Sequence, residues 1–363
     1  MVETIRRRLE DSARRGAGAD TRQRAILVGV QLPGSSVALS ASLDELERLA
    51  DSAGVDVAGR ITQRLEEPHP RHYIGKGKLE ELISTCRATY ADMVIFDDEL
   101  RPHVQHELER ELGLRVIDRT LLILDIFSQR AHTHEGRVQV ELAQYRYLLP
   151  RLVGRGTELS RLGGGIGTRG PGETRLEFDR RRIRQRIARL EREIEGIRMH
   201  RRVHRVSRQR KELPLVAIVG YTNAGKSTLL NRLTGSSVEV ADKLFATLDP
   251  TTRRLQLPGG QEVLITDTVG FIAKLPPTLV AAFRATLEEL DEAVLLLHVV
   301  YITGEQVERA CRVVGEILAD LGLQDKPTLL VLNKADRLLP EAKMRGEQAL
   351  GEMSPEALGL DPV

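Results

Sequence analysis

Gly220-Tyr221-Thr222-Asn223-Ala224-Gly225-Lys226-Ser227 sits between an apolar, strand-like run, Leu215–Val219, and a helical one, Ser227–Leu233. The spacing is G-x-x-x-x-G-K-S, and its position after a strand and before a helix is the context that gives the pattern physical meaning. The glycines let successive backbone N–H groups turn inward around phosphate oxygens. The helix N-terminus adds its partial positive charge. Lys226 supplies a point charge to the outer phosphates, Ser227 a hydroxyl for Mg²⁺, and Thr228 continues the cradle into the helix. A strand, loop and helix of this kind predict an α/β domain with a doubly wound, mainly parallel sheet.

Three further segments downstream belong to the same chemistry. Asp267-Thr268-Val269-Gly270 follows the strand-like Glu262–Thr266, where Asp267 is placed to act on Mg²⁺ through water and the Gly270 N–H to meet a γ-phosphate. Phe245-Ala246-Thr247-Leu248-Asp249-Pro250-Thr251-Thr252 carries the hydroxyls of a first switch, with Thr247 expected as the second Mg²⁺ ligand and Thr251 and Thr252 as its rivals. Asn333-Lys334-Ala335-Asp336 follows the buried run Thr328–Leu332. A carboxylate at Asp336 can accept from both N1–H and the exocyclic amine of guanine, a donor pair that adenine lacks, so GTP is expected over ATP. Lys226, Thr247 and Gly270 are the expected catalytic groups, in a displacement that works by positioning and charge stabilisation.

Upstream the texture differs. Residues 1–24 are charged and rich in Gly and Ala, a tail by composition. From residue 25 strand-like and helix-like segments alternate: Ala25–Gln31, Ser42–Ala53, Val55–Leu65, Lys78–Thr89, Met93–Asp97, Pro102–Leu112 and Leu114–Ile117. Ser42 with Glu45 three residues on reads as a capping box. The alternation predicts a small parallel α/β domain over 25–136. Over 137–212 the period changes. Val138, Leu142, Tyr145, Leu149 and Leu152 step by four and three, as do Ile183, Ile187, Leu190, Ile194 and Ile197. Two such stripes predict an antiparallel helical hairpin, joined by the glycine-rich Gly154–Gly172. A boundary near Pro214 then opens the nucleotide domain, 213–363.

Charge is unevenly spread. The chain of 363 residues is +2 overall, but Arg175–Lys211 holds 15 Lys/Arg against 5 Asp/Glu, a local +10. Such a block suggests a polyanionic partner. Aromatics make up only 3% with no Trp, so contact with phosphates is expected rather than base stacking. The hydrophobic share of 41% excludes a mainly disordered chain. The longest apolar stretch, around Ala293–Val300, is under half of the ~18 residues a membrane helix needs. Two cysteines, Cys86 and Cys311, cannot build a disulfide framework, and a reducing cytoplasmic setting is expected. His132, His134 and Glu135 have no further partner at metal-ligand spacing, and Tyr73-Ile74-Gly75-Lys76-Gly77-Lys78 lacks phosphate-loop spacing and reads as a basic turn. A monomer is the default.

The four nucleotide motifs, together with Gly167-Thr168-Arg169-Gly170-Pro171-Gly172-Glu173-Thr174, resemble the HflX family of translation-factor-related GTPases over residues 24–340. The resemblance implies a Mg²⁺-dependent GTPase that binds GTP and GDP, associates with the large (50S) ribosomal subunit and its rRNA, and acts in ribosome splitting, rescue or biogenesis. It further implies that the basic helix and glycine loop face rRNA. Asn223 resembles the asparagine of K⁺-responsive GTPases. Phe271 stands where Ras-like enzymes carry a water-orienting glutamine, so intrinsic hydrolysis should be slow. The chain departs from the pattern at Tyr301, where the family usually has aspartate. Beyond Asp336 no further strand, Ser-Ala loop or closing helix is legible, and Ser354 is only a remnant candidate for a base contact. These departures leave an alternative, an rRNA-binding module with a vestigial nucleotide domain.

Overall fold

The computed structural model describes residues 22–35, 37–152, 175–209, 213–238, 243–276, 279, 290–302 and 307–334, with 175–176 and 200–209 as helical backbone alone. Residues 1–21 of the expected tail, the glycine loop Gly154–Gly172, Ala335, Asp336 and Ser354 lie outside these residues, whereas Gln23 and Arg24, expected in the tail, open the first strand. The chain divides into two compact units, Met1–Met199 with Pro276–Ala282, and His200–Leu275 with Phe283–Val363.

The first unit is built on a four-stranded sheet in the order β2-β1-β3-β4. Its strands are β1 (Gln23–Gln31), β2 (Val55–Arg64), β3 (Met93–Phe96) and β4 (Arg115–Asp118), and every pairing is parallel. Connections run through α1 (Leu39–Ser52), α2 (Lys76–Thr89) and α3 (Pro102–Leu112). Both faces are covered, which is why β1 and β3 read as continuous apolar runs. Ile26, Val28 and Val30 pack with Leu79, Leu82, Val104 and Leu108 in one cluster.

The capping box is not formed. Helix α1 begins at Leu39 behind Ala38, so Ser42 and Glu45 lie inside it and are buried. The Ser42 hydroxyl donates to Asp97 at 2.6 Å, and Glu45 lies 3.2 Å from Arg119. The local pattern suits a cap; a buried arginine far along the chain turns both groups inward instead. Helix α4 (Arg119–Arg130) has no counterpart among the expected elements. Its residues Leu121–Leu124, Ile126 and Phe127 are all buried, so it shows no amphipathic period. Asp118 caps it by accepting from the Leu121 N–H at 2.9 Å.

Helices α5 (His134–Arg151) and α6 (Arg175–Gln209) form the expected antiparallel hairpin. Val138 and Leu142 meet Leu190 and Ile194, flanked by Tyr145 and Ile187. Arg186 pairs with Glu141 and Arg146 with Glu191, each at 2.7 Å. Outside this seam Arg181, Arg182, Arg184, Arg189 and Arg192 of α6 are exposed. A second face of α5 packs on α4, a burial that the stripe alone does not announce.

Among the described residues the second unit is built on a five-stranded sheet in the order β6-β7-β5-β8-β9. Its strands are β5 (Leu215–Gly220), β6 (Thr251–Gln256), β7 (Glu262–Asp267), β8 (Leu295–Tyr301) and β9 (Thr328–Asn333). Among the described residues only the β6–β7 pairing is antiparallel. Helix α7 (Lys226–Thr234) follows β5, and α8 (Val307–Asp320) precedes β9. β5 lies between β7 and β8, so the crevice at its carboxyl end is where an open α/β sheet takes a ligand. Among the described residues no helix is long and apolar enough to cross a membrane.

Candidate nucleotide-binding site

The loop after β5 is shaped by local backbone chemistry. Gly225 caps α7 at φ +94°, and Asn223 also has positive φ, at +61°. The Thr222 N–H donates to the Phe271 carbonyl at 2.7 Å, and the Phe271 N–H to the Gly220 carbonyl at 3.1 Å. The loop after β5 is thereby laced to the loop after β7. The Thr222 hydroxyl accepts from the Phe245 N–H at 2.9 Å and holds the first switch segment against the same loop.

These segments enclose a cavity of about 230 Å³ lined by Thr222, Asn223, Gly225–Thr228, Lys243, Phe245–Thr247, Thr268, Gly270 and Lys334. Within it the Ser227 and Thr247 hydroxyl oxygens are 2.7 Å apart, and Ser227 donates to Asp267 Oδ2 at 2.5 Å. Asp267 is fully buried, and its Oδ1 has no hydrogen-bond partner among the described residues. Two hydroxyls converging beside an unsatisfied carboxylate oxygen are hard oxygen donors, a set that fits Mg²⁺. Thr252 instead bonds Thr266 across the β6–β7 pair at 3.1 Å, and Thr251 pairs with Asp267 in the ladder.

The Lys226 ammonium is buried and donates to the Gly220 and Tyr221 carbonyls at 3.2 and 3.0 Å. Burial pushes its pKa down to about 8 against the opposing pull of Asp267. Burial likewise raises the Asp267 carboxyl, with Lys226 and the neighbouring hydroxyls opposing. His298 on β8 is pushed down to about 4 by burial and by Lys226, so it is neutral. The site thus carries a buried cation on one wall, where a phosphate charge is stabilised more strongly than in water.

Asn333 reaches back to the loop, its side-chain N–H donating to the Ala224 carbonyl at 2.8 Å. The Lys334 ammonium lies 3.4 Å from the Asn223 carbonyl and 4.4 Å from the Tyr301 ring centroid. Tyr301 therefore sits beneath Lys334 as a cation–π partner, a contact the sequence reading did not anticipate. Lys243 is a second cavity residue that reading passed over; a lone base just ahead of the switch was its only signal. Of the remaining expected site residues, Gly220, Tyr221, Ala224, Leu248, Asp249, Asp267 and Val269 do not line the cavity. Phe271 is buried away from it.

Close packing makes Gly270 a sensitive position. A Cβ there would stand 2.6 Å from Thr222 Cα and 3.0 Å from the Lys226 ammonium. The first is backbone and cannot swing aside. Gly270→Ala should therefore pry the two loops apart and lower single-turnover GTP hydrolysis by about a hundredfold while the far-UV circular dichroism stays native. Wild-type turnover in this variant would show that the loops are not held as described.

Comparison with known proteins places this geometry. The family model described as GTP-binding GTPase N-terminal matches residues 40–128, GTP-binding GTPase Middle Region matches 130–208, and 50S ribosome-binding GTPase matches 215–334. The GTPase HflX of Caldanaerobacter subterraneus subsp. tengcongensis is 54% identical over 320 residues, 88% of this chain and 74% of that protein. The GTPase HflX of Escherichia coli K12 is 50% identical over 296 residues, 82% of this chain and 70% of that protein. Among solved structures, the crystal structure of the SsGBP and GDP complex is similar over 93% of this chain and 87% of that one, with a TM-score of 0.51 and 26% identity. A P-loop GTPase domain behind an α/β unit and a helical hairpin, matched at this identity over most of both lengths, makes the chain a member of the HflX family of GTPases.

Proposed function

We propose that this GTPase works on the large (50S) ribosomal subunit in the cytoplasm, coupling GTP binding and hydrolysis to ribosome splitting, rescue or biogenesis. The observation that carries the reading is the convergence of Lys226, Ser227 and Thr247 on one cavity, with Asp267 accepting from Ser227, taken together with the exposed arginines that α6 carries in the same chain. The roles assigned are these. The amides of Gly220–Thr228 and the Lys226 ammonium bind the β- and γ-phosphates, Ser227 and Thr247 hold Mg²⁺, and Asp267 acts on it through water. When bound, the ion neutralises charge on the transferring phosphoryl group. Gly270 meets the γ-phosphate through its N–H, and Phe245–Asp249 and Asp267–Gly270 order around it. Asn333–Asp336 read guanine, and Asn223 serves a K⁺ ion near the phosphates. The domains are read as 25–136, 137–212 and 213–363, with the hairpin of 137–212 and its loop as the rRNA-facing element.

Intact loop geometry and the family's GTPase identity favour this over the alternative of an rRNA-binding module with a vestigial nucleotide domain. Phe271 offers no hydrogen bond to an attacking water, so turnover is expected to be slow until the ribosome completes the site. Replacing Arg181, Arg184 and Arg189 by Glu should reduce co-sedimentation with purified 50S subunits by at least about tenfold at moderate salt and flatten its salt dependence. The same variant should lose the stimulation of GTP hydrolysis by 50S while keeping its intrinsic rate. Equal co-sedimentation of variant and wild type would end the role given to α6.

A further inference from the structure

We propose that His72, Glu107 and Glu111 form a transition-metal site in the N-terminal unit that takes a divalent ion of the Zn²⁺ class. One ligand atom from each of the three residues lies within 4.8 Å of the other two. Glu107 and Glu111 are one helical turn apart on α3, so both carboxylates rise on one face. His72 comes from the loop that precedes α2.

The second observation is His72 itself. The residue is only 6% exposed, and neither ring nitrogen has a hydrogen-bond partner among the described residues. A neutral imidazole carries one donor and one acceptor, and leaving both unmatched in the interior is unfavourable. A metal ion on one nitrogen removes the larger part of that mismatch. The ring is also held in place. His69 Nδ1 accepts from the N–H groups of Arg71 and His72, both at 3.3 Å, and the two imidazoles stack with centroids 5.5 Å apart and planes 6° from parallel. Paired backbone bonds between His69 and Tyr73 close this short loop, and His103 of α3 contacts the Pro70 carbonyl at 3.2 Å.

Arginines contest the carboxylates. Arg71 lies 2.9 Å from Glu107 and 3.6 Å from Glu111, while Arg110 lies 2.6 and 3.2 Å from the same two groups. Both arginines are roughly half exposed and could swing into solvent. Donor atoms around a tetrahedral ion bonded at about 2.0–2.2 Å stand about 3.3–3.6 Å apart, so binding requires only a small closure of three side chains and the withdrawal of Arg71. One imidazole and two carboxylates suit Zn²⁺ or Mn²⁺, with water completing the shell. Such an ion would pin the loop before α2 to α3.

The experiment is a titration of the full chain, stripped with a chelator and free of nucleotide, with ZnCl₂ in competition with a chromophoric zinc indicator. One equivalent should be taken up at low micromolar concentration or below. His72→Ala and, as a variant at a half-exposed position that leaves the core intact, Glu111→Gln should each weaken uptake by at least about tenfold. Arg71→Ala should tighten it, because the competing cation is gone. GTP binding should be the same in all of them. No uptake by the wild type, unchanged uptake in both ligand variants, or weaker uptake in Arg71→Ala would each overturn the assignment and leave the cluster as an ion-pair network.

Discussion

Lys226→Ala should cut single-turnover GTP hydrolysis by at least about a hundredfold and weaken GTP binding alongside it. The ammonium is buried and in this structure donates to the Gly220 and Tyr221 carbonyls. Phosphate oxygens would be the stronger acceptors for it, being charged. Burial has already lowered its pKa to about 8, so the protein bears the cost of an enclosed cation there before any anion arrives. A placement of that kind is worth keeping only if the partner charge develops at the same spot. Alanine removes the charge and takes one donor from each of two carbonyls, which still accept from the Phe271 and Ala224 N–H groups, so the melting temperature should change little. Lys226→Arg separates the two effects. It keeps the charge but replaces a point donor on a thin stem by a planar fork that the loop has no room for. It too should turn over slowly. The measurements are nucleotide binding by fluorescence and hydrolysis by phosphate release, with a thermal melt as the folding control. Retention of more than about a third of wild-type turnover in Lys226→Ala would remove the site from this cavity.

Why this site was legible in the sequence, and the other unit less so, has a physical cause. A phosphate cradle is made of backbone, and backbone geometry is dictated by neighbours in sequence: glycine where φ must be positive, as at Gly225 with φ +94°, and a strand and a helix on either side. The same holds for the strands Met93–Phe96 and Thr328–Asn333, whose apolar runs announce them locally. The hairpin stripes are local as well, with Leu190 and Ile194 found against Val138 and Leu142. What escaped were contacts made across the chain. Helix α4 is buried from Arg119 through Phe127, its charged Arg119 and Asp125 included, so no solvent-facing polar stripe marks it. Tyr301 under Lys334 joins the ends of two neighbouring strands, β8 and β9. Ser42 and Glu45 carry a perfectly good capping pattern, and only Arg119, 77 and 74 residues away, makes them core residues instead.

That buried arginine is the setting for the largest stability effect expected in the first unit. Arg119→Ala should cost about 3–5 kcal/mol. Its guanidinium reaches Asp97 at 2.7 Å and Glu45 at 3.2 Å, and donates to the Ser42 carbonyl at 3.2 Å. The side chains of all three charged residues are at most 4% exposed. Burial alone would lower the Arg119 pKa; Asp97 and Glu45 outweigh it and raise it. Alanine would take the guanidinium away from two buried carboxylates, so they must either stay charged in a poor medium or take up protons. The penalty then belongs to the stranded acids more than to the lost contact. Two variants distinguish these contributions. Arg119→Lys keeps a charge but serves fewer acceptors, and should lose less than Arg119→Ala. A quadruple replacement of Ser42, Glu45, Asp97 and Arg119 by apolar residues of similar volume should recover most of the loss, since an ion cluster of this kind contributes little beyond a packed apolar core. Hydrogen exchange of the β3 and α1 amides is the readout, because it reports this unit without assuming that the whole chain unfolds in one step. A loss under about 1 kcal/mol for Arg119→Ala would mean that water reaches the acids, and that the cluster is not the sealed core element its burial describes.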